Sequence, residues 1–242
     1  MFAFQDTVDG VGVAFTDRHG GVSAPPYDSL NLGLATKDDP ASVARNYALV
    51  EAAIGVEPGR IARMHQVHGA EVLVVRAPPD PDRPPRVDGL VTDQPGLALS
   101  VRVADCVPVL LADPAAGVVG CAHAGRTGLA EGVVPRTLQA MRDLGARRVR
   151  AWVGPYVCGG CYEVPEQMRD EVSAVVPQSR STTTWGTPAL DIGAGVQAQL
   201  RAADAELAPT PARCTREDPE LYSHRREGGR AGRSAGLVWL QA

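Results

Sequence analysis

Apolar positions along the chain fall mostly into short runs or alternate with polar ones, the signatures of buried and half-buried strands. These runs predict strands at Gly10–Phe15, Ala70–Val75, Ala98–Asp105, Val107–Ala112, Val118–Ala122, Val149–Val153 and Leu237–Leu240, most of them rich in Val and Leu. Helical patterns are fewer. Pro40–Ala53 opens with Asp38-Asp39-Pro40, and Val134–Leu144 carries Pro135 near its start and stops at Gly145, as a first-turn proline and a terminal glycine require. Pro165–Val176 has an acidic residue in its first turn, and a fourth helix is expected from Asp191 as N-cap to Asp204. Strands bunch in the middle with helices between and after them. The pattern therefore predicts an α/β protein with a mixed sheet or sandwich faced by helices, not a regular βαβ repeat. Periodicity does not reveal the strand order.

The 242 residues are 44% hydrophobic and 21% charged, close to the globular average, so a real core is expected. One domain spanning residues 1–242 is the simplest organisation. With 24 basic against 28 acidic residues the net charge is −4, which excludes a basic nucleic-acid coat and makes nucleic acid an unexpected partner. No apolar run approaches the ~18–20 residues that cross a bilayer, and Met1–Asp6 lacks a basic segment before an apolar stretch. A cytoplasmic protein with no membrane partner is expected. The proline-rich stretch Pro78–Pro85 reads as a rigid extended loop and Gly228–Arg233 as a flexible basic one. No internal repeat is found. No glycine-rich phosphate loop opens a helix after a strand, so nucleoside triphosphates and dinucleotides are poor ligands.

Five cysteines (Cys106, Cys121, Cys158, Cys161, Cys214) are too few and too odd in number for a disulfide scaffold. Reduced, buried or metal-bound thiols are expected. His65 and His68 lie in Met64-His65-Gln66-Val67-His68-Gly69, and His123 in Cys121-Ala122-His123-Ala124-Gly125, beside glycine-bearing turns at strand edges. Between them Asp105-Cys106 interrupts two apolar runs. A His/Cys/His set on neighbouring strands could form a three-ligand metal site with an open fourth position, as catalytic zinc requires. The bland readings are a buried thiol and hydrogen-bonded turn histidines. Spacing leaves the ligands open: His65 competes with His68, and Cys121, on the same strand face as His123, competes with Cys106. Cys158-Gly159-Gly160-Cys161 has the spacing of a redox pair or half a zinc ribbon, but no second C-x-x-C exists, and it is read as structural. The Arg-rich Ser223–Arg233 tail is read as a solvated basic loop.

Several short segments, in order over nearly the whole chain, resemble the YfiH family of laccase-domain proteins, formerly called multicopper polyphenol oxidases. They are Thr16–Ser23 with Ser29–Gly33, Gln66–Gly69, Asp88–Thr92, Ala104–Pro108, Ala122–Gly125, Cys161–Val164, Trp185–Asp191 and Ser223–Arg226. The resemblance implies a four-layer α/β/β/α fold with mixed sheets, shared with a toxin of the cytotoxic necrotizing factor type. It also implies a zinc ion, with copper as the other candidate, held by His68, Cys106 and His123. The implied activity is phosphorolysis of adenosine, inosine or methylthioadenosine with inorganic phosphate as co-substrate, together with adenosine deamination. A three-ligand zinc lowers the pKa of a bound water to roughly 7, which deamination at C6 of adenine can use. Phosphorolysis instead needs donors that hold an anion beside an oxocarbenium-like centre.

Arg18 and Asn31 are candidates for that positioning, with Arg225 and Arg226 as further ones; the bland reading makes Arg18 and Asn31 ordinary turn residues. Asp105 is a candidate to orient a ligand histidine or carry a proton, although neighbouring strand residues face opposite ways and a backbone-capping role fits equally. The chain departs from the family at His123-Ala124-Gly125-Arg126-Thr127-Gly128, where the usual motif is His-Ala-Gly-Trp-Arg-Gly, and the nucleoside preference is left open. Competing readings are a metal-free Cys106–His123 amide hydrolase editing cell-wall precursors, a copper-dependent phenol oxidase, and a structural zinc module with no turnover. The oligomeric state cannot be read from the sequence.

Overall fold

Apolar residues on alternate strand positions are divided here between two different cores, and that division builds the layers. The computed structural model describes residues 1–81 and 83–242. Asp82, inside the proline-rich stretch expected to be a loop, lies outside the described residues; the rest of that stretch carries neither helix nor strand. The described strands are β1 (Phe2–Val8), β2 (Val11–Thr16), β3 (Ile61–Ala62), β4 (Val72–Val74), β5 (Gly89–Thr92), β6 (Ala98–Val103), β7 (Val107–Asp113), β8 (Val118–Ala124), β9 (Arg150–Val153), β10 (Arg180–Thr182), β11 (Pro188–Leu190), β12 (Glu206–Leu207) and β13 (Ser234–Leu240). The helices are α1 (Pro40–Ile54), α2 (Arg126–Glu131), α3 (Val133–Asp143), α4 (Glu166–Val175), α5 (Ile192–Ala202) and α6 (His224–Glu227). None is long and apolar enough to cross a membrane.

One sheet has the order β1-β2-β13-β6-β3 and the other β12-β9-β7-β8-β5-β4, each mixing parallel and antiparallel pairs. On β7, Val107, Val109 and Leu111 pack toward α2, α3, α4 and α5, while Leu110 and Ala112 pack toward the other sheet. β13 divides likewise: Val238 and Leu240 face the inter-sheet core, with Phe15, Leu99 and Trp152, whereas Leu237 and Trp239 face α1. The four layers are therefore α1, two mixed sheets, and the α2–α5 group. Strands buried on both faces read as continuous apolar runs, which is why β6, β7, β8 and β13 stand out in the sequence.

Local signals set the helix ends. Asp39 caps α1 by accepting from the amides of Ala41 and Ser42, Pro40 occupies the first turn, and Gly55 closes the helix at φ 73°. Asp191 caps α5 through the Ala194 amide at 2.8 Å, a contact worth about 1 kcal/mol. The expected helices all occur, with ends shifted by one or two residues. Strands β1, β3, β5, β10, β11 and β12 and the short helices α2 and α6 were not anticipated. β1 is an edge strand whose Gln5, Asp6 and Thr7 are exposed, and β5 has only four residues.

The expectation of a flexible basic tail is corrected by the structure. α6 and a 3-10 turn at Gly228–Arg230 lead into buried Ala231 and Gly232, and Asn31 Oδ1 accepts from the Arg233 amide at 2.9 Å.

At the far end of β7, buried Asp113 accepts from the amides of Arg147 and Arg148 at 2.6 and 2.8 Å and from that of Ala116 at 3.2 Å. Burial alone would raise its carboxyl, but these amides hold it below the usual range. Its contribution is therefore present above the unfolded value of about 4 and is lost as pH falls through the depressed folded value. Asp113→Asn is expected to cost about 2 kcal/mol at neutral pH. Thermal melts should show this difference from wild type shrinking toward zero in acid.

Candidate metal centre and cavity

β6 belongs to one sheet and β7 to the other, so residues 104–106 carry the chain across the seam between them. Asp105 makes the turn at φ 96°, a left-handed conformation that Asp tolerates better than most residues. It leaves Cys106 at the mouth of the seam. β8 lies beside β7 with Pro108 opposite His123, which puts His123 next to Cys106. His68, in the left-handed region at φ 62°, reaches the same point from the loop between β3 and β4. The ligand atoms of His68, Cys106 and His123 lie within 4.8 Å of one another, and the two imidazole rings meet edge to face with centroids 4.8 Å apart. Gly125 permits this approach: a Cβ there would stand 3.0 Å from His68 Cδ2 and 3.3 Å from Cys106 Sγ.

Asp88, on the threshold of β5 and fully buried, organises the cluster. Its carboxylate accepts from three successive amides, Val67 at 3.1 Å, His68 at 3.0 Å and Gly69 at 2.8 Å, an anion nest that stabilises the left-handed turn at His68. It also accepts from His123 Nδ1 at 2.7 Å. That contact fixes Nδ1 as the protonated nitrogen and leaves Nε2 free as a ligand atom, the arrangement in which a carboxylate supports a metal-binding histidine. Burial alone would raise the Asp88 carboxyl, but the His123 contact and the Gly69 and Val67 amides hold it low. Burial likewise opposes ionisation of Cys106, yet the charge and hydrogen bonds of His123 and then His68 bring its thiol down. Against burial, Cys106 and Asp88 push His123 up. Without a cation the three side chains thus favour a thiolate beside an imidazolium, and a metal ion would take the place of the His123 Nε2 proton.

The cluster opens into a cavity of about 960 Å³. Four guanidinium groups line it, those of Arg102, Arg126, Arg225 and Arg233, with apolar Leu34, Val157 and Ile192 between them. Arg225 lies over the Tyr162 ring at 4.6 Å. The Arg233 guanidinium is held below its ordinary value by burial despite the nearby Cys106 and Asp105.

The profile of the multi-copper polyphenol oxidoreductase laccase family matches residues 12–241. The chain belongs to this family. Its laccase-family relatives include the purine nucleoside phosphorylase of Streptomyces coelicolor, 56% identical over 99% of this chain and 100% of that one. Among solved structures, a Neisseria meningitidis protein is 31% identical with a TM-score of 0.85, covering 99% of both chains. YfiH of Bacillus licheniformis is 29% identical with a TM-score of 0.84, over 96% of this chain and 93% of that one.

Within this laccase-family framework the structure places the other candidate residues as follows. His65 lines the cavity outside the three-residue cluster, and Cys121 is fully buried between the sheets. Asp105 directs its carboxylate to Thr215 Oγ1 and Ser223 Oγ, both at 2.7 Å, and to the Arg225 amide at 2.6 Å. It ties down the carboxy-terminal segment, and the carboxylate on a cluster histidine is Asp88 instead. Arg18 donates to the Asp28 and Pro219 carbonyls and to Glu227, and stacks on Tyr222. Asn31 is fully buried among Gly33, Thr36, Asp38 and Arg233. Neither lines the cavity; Asn31 braces the Gly33–Thr36 wall and Arg233, which do.

Arg226 gives its guanidinium to the carbonyls of Thr215, Arg216, Asp218 and Leu221, a staple inside the tail. Of the four candidate anion binders only Arg225 faces the cavity. Sequence reasoning overlooked Asp88, and it noted Arg126 only as a departure from the family motif. Asp88 lies inside a segment that carries the resemblance, but its partners lie 19–21 residues before it and, in His123, 35 residues after it.

Proposed function

We propose that the protein is a zinc-dependent purine nucleoside phosphorylase acting on adenosine, inosine or methylthioadenosine, with adenosine deamination at the same site. The observation that carries this reading is the His68–Cys106–His123 cluster opening into an arginine-lined cavity. The name of the Streptomyces coelicolor relative supports the substrate class. Two imidazoles and a thiolate suit zinc, and three protein ligands beside a cavity leave a fourth position for a small molecule. Bound there, zinc would supply Lewis acidity toward an oxygen atom. A phenol-oxidising copper enzyme fits less well. The chain has five histidines in all, and none of its four methionines lines the cavity as a weak axial ligand.

The chain's own groups do the rest. Arg126 and Arg225 bind inorganic phosphate and neutralise its charge, while Arg102 and Arg233 keep the inner wall cationic. Leu34, Val157 and Ile192 cover the purine and exclude water. A cavity near the upper end of the ~300–1,000 Å³ range of small-molecule sites holds nucleoside and phosphate together. An oxygen of hydrogen phosphate attacks ribose C1′ as the bond to purine N9 breaks, and the proton lost by the phosphate passes to the departing purine, so adenosine and phosphate give adenine and ribose 1-phosphate. The arginines hold the anion against the positive charge that develops on the sugar.

The Arg126 side chain makes no hydrogen bond to another described residue, so its truncation tests this role without undoing structure. Arg126→Ala is expected to raise the KM for phosphate roughly tenfold, the loss of one charge-assisted contact. The melting temperature should stay unchanged.

The assay for the reaction itself is chromatography of adenosine incubated with the protein, with and without phosphate. Adenine and ribose 1-phosphate formed only with phosphate support phosphorolysis, and inosine formed without phosphate supports deamination. If zinc is bound stoichiometrically and no nucleoside reacts, the reading falls, and amide hydrolysis of cell-wall precursors by Cys106 and His123 is the next assay.

A further inference from the structure

A second group of ligand-type side chains lies behind the cavity wall. The Cys158–Cys161 segment folds into a turn in which the Cys161 amide donates to the Cys158 carbonyl at 2.9 Å. Fifty-six residues on, Cys214–Glu217 forms the same kind of turn, the Glu217 amide donating to the Cys214 carbonyl at 3.2 Å. Each turn thus presents two donors at i and i+3. A parallel bridge between Tyr156 and Cys214, and the Thr215 amide on the Tyr156 carbonyl at 3.0 Å, hold the turns face to face. The four ligand atoms, three sulfurs and a carboxylate oxygen, lie within 4.8 Å of one another. The Cys158 amide points at Cys214 Sγ at 3.4 Å, and Cys161 Sγ is 3.3 Å from Glu217 Oε1.

We propose that Cys158, Cys161, Cys214 and Glu217 form a closed, structural zinc site, separate from the His68–Cys106–His123 cluster. Two paired turns with C-x-x-ligand spacing are how structural zinc is held, and a tetrahedron with Zn–S near 2.3 Å needs these atoms to contract by only about 1 Å. Among the described residues no histidine joins this group. Burial and mutual crowding push the Cys161 thiol up to about 12 and raise Cys158 as well. A divalent cation relieves that crowding, displacing the thiol protons to solvent as the thiolates bind it. Arg216, Arg225 and Arg226 line the adjoining surface pocket with Cys161 and Glu217, offsetting the negative charge of the filled site.

All four protein positions are taken, so the ion has no open position and its role is to fix geometry. Thr215, next to Cys214, donates to Asp105, which adjoins Cys106; Tyr162, next to Cys161, lies under Arg225. A metal in the two turns therefore locks one wall of the catalytic cavity.

The test counts zinc by native mass spectrometry in protein purified under reducing conditions. Cys106→Ser, which touches only the first cluster, should retain one zinc per chain. In that background Glu217→Ala, at an exposed position that leaves the fold intact, should lower zinc affinity at least about tenfold. Zinc should protect Cys158, Cys161 and Cys214 from alkylation in the wild type. A folded Cys106→Ser protein that binds no zinc, or a disulfide between two of these three cysteines in the reduced wild type, would overturn the proposal. The count in Cys106→Ser does not depend on the phosphorylase reading, so either can fail alone.

Discussion

Cys106→Ser is expected to lower phosphate-dependent adenine release by at least about 10³-fold while the protein stays folded. Losing a supporting carboxylate already costs roughly 10–100-fold at metal sites, and loss of a ligand itself costs more. Serine keeps the size of the side chain but not its function: its hydroxyl stays protonated near neutral pH where the Cys106 thiol, drawn down by His123 and His68, ionises. The comparison that isolates the effect is Cys121→Ala. Cys121 lies fully buried between the sheets, and burial pushes its thiol up to about 12, so it behaves as a small apolar group. Its removal should lower the melting temperature modestly and leave turnover per folded protein intact. Equal loss of activity in both variants would mean that a thiol is needed only for packing.

Asp88→Asn is the second large effect. Asp88 is a positioning residue that acts through His123 and the His68 turn. With its nitrogen where Oδ1 stands, the amide turns a donor toward the His68 N–H, which itself donates, while the remaining oxygen still accepts from Val67 and Gly69. It also offers an N–H to His123 Nδ1, favouring the tautomer with the proton on Nε2, the nitrogen the ligand role requires to be bare. Zinc affinity at the first cluster is expected to fall roughly 10–100-fold, with activity falling in parallel at limiting zinc. Added zinc should restore most of the rate. A purely structural lesion would not respond to zinc, which makes the titration the deciding readout.

Much of this architecture was legible in the chain because it depends on local pattern. Strands β6, β7, β8 and β13 are buried on both faces, so their runs of Val and Leu stand out, and Asp39, Asp191 and Gly145 mark helix ends by short-range chemistry. The division into two sheets was not legible from periodicity. β13 inserts between β2 and β6, a pairing of the two ends of the chain that no local pattern encodes. The His/Cys/His set was visible as residue types beside turns, but the choice of His68 over His65 depends on a left-handed turn held by Asp88, twenty positions away.

The same limit explains the anion binders. Arg18 and Asn31 lie in glycine- and serine-bearing motifs that suggest a binding loop, yet Arg18 is committed to Asp28, Pro219 and Glu227, and Asn31 braces Gly33 and Arg233 of the cavity wall. Arg126 lies three residues from His123 and faces the cavity. The C-x-x-C pair looked solitary because its partner turn ends in Glu217 instead of a fourth cysteine.

The most direct test of the central claim is a zinc titration of metal-stripped, refolded protein, following adenine release from adenosine in the presence of phosphate. Adenine and ribose 1-phosphate should be absent without zinc and appear as the His68–Cys106–His123 site fills, with Cys106→Ser silent throughout. Full phosphorolysis by the zinc-free protein, or by Cys106→Ser, would contradict the assignment of that cluster as the catalytic centre.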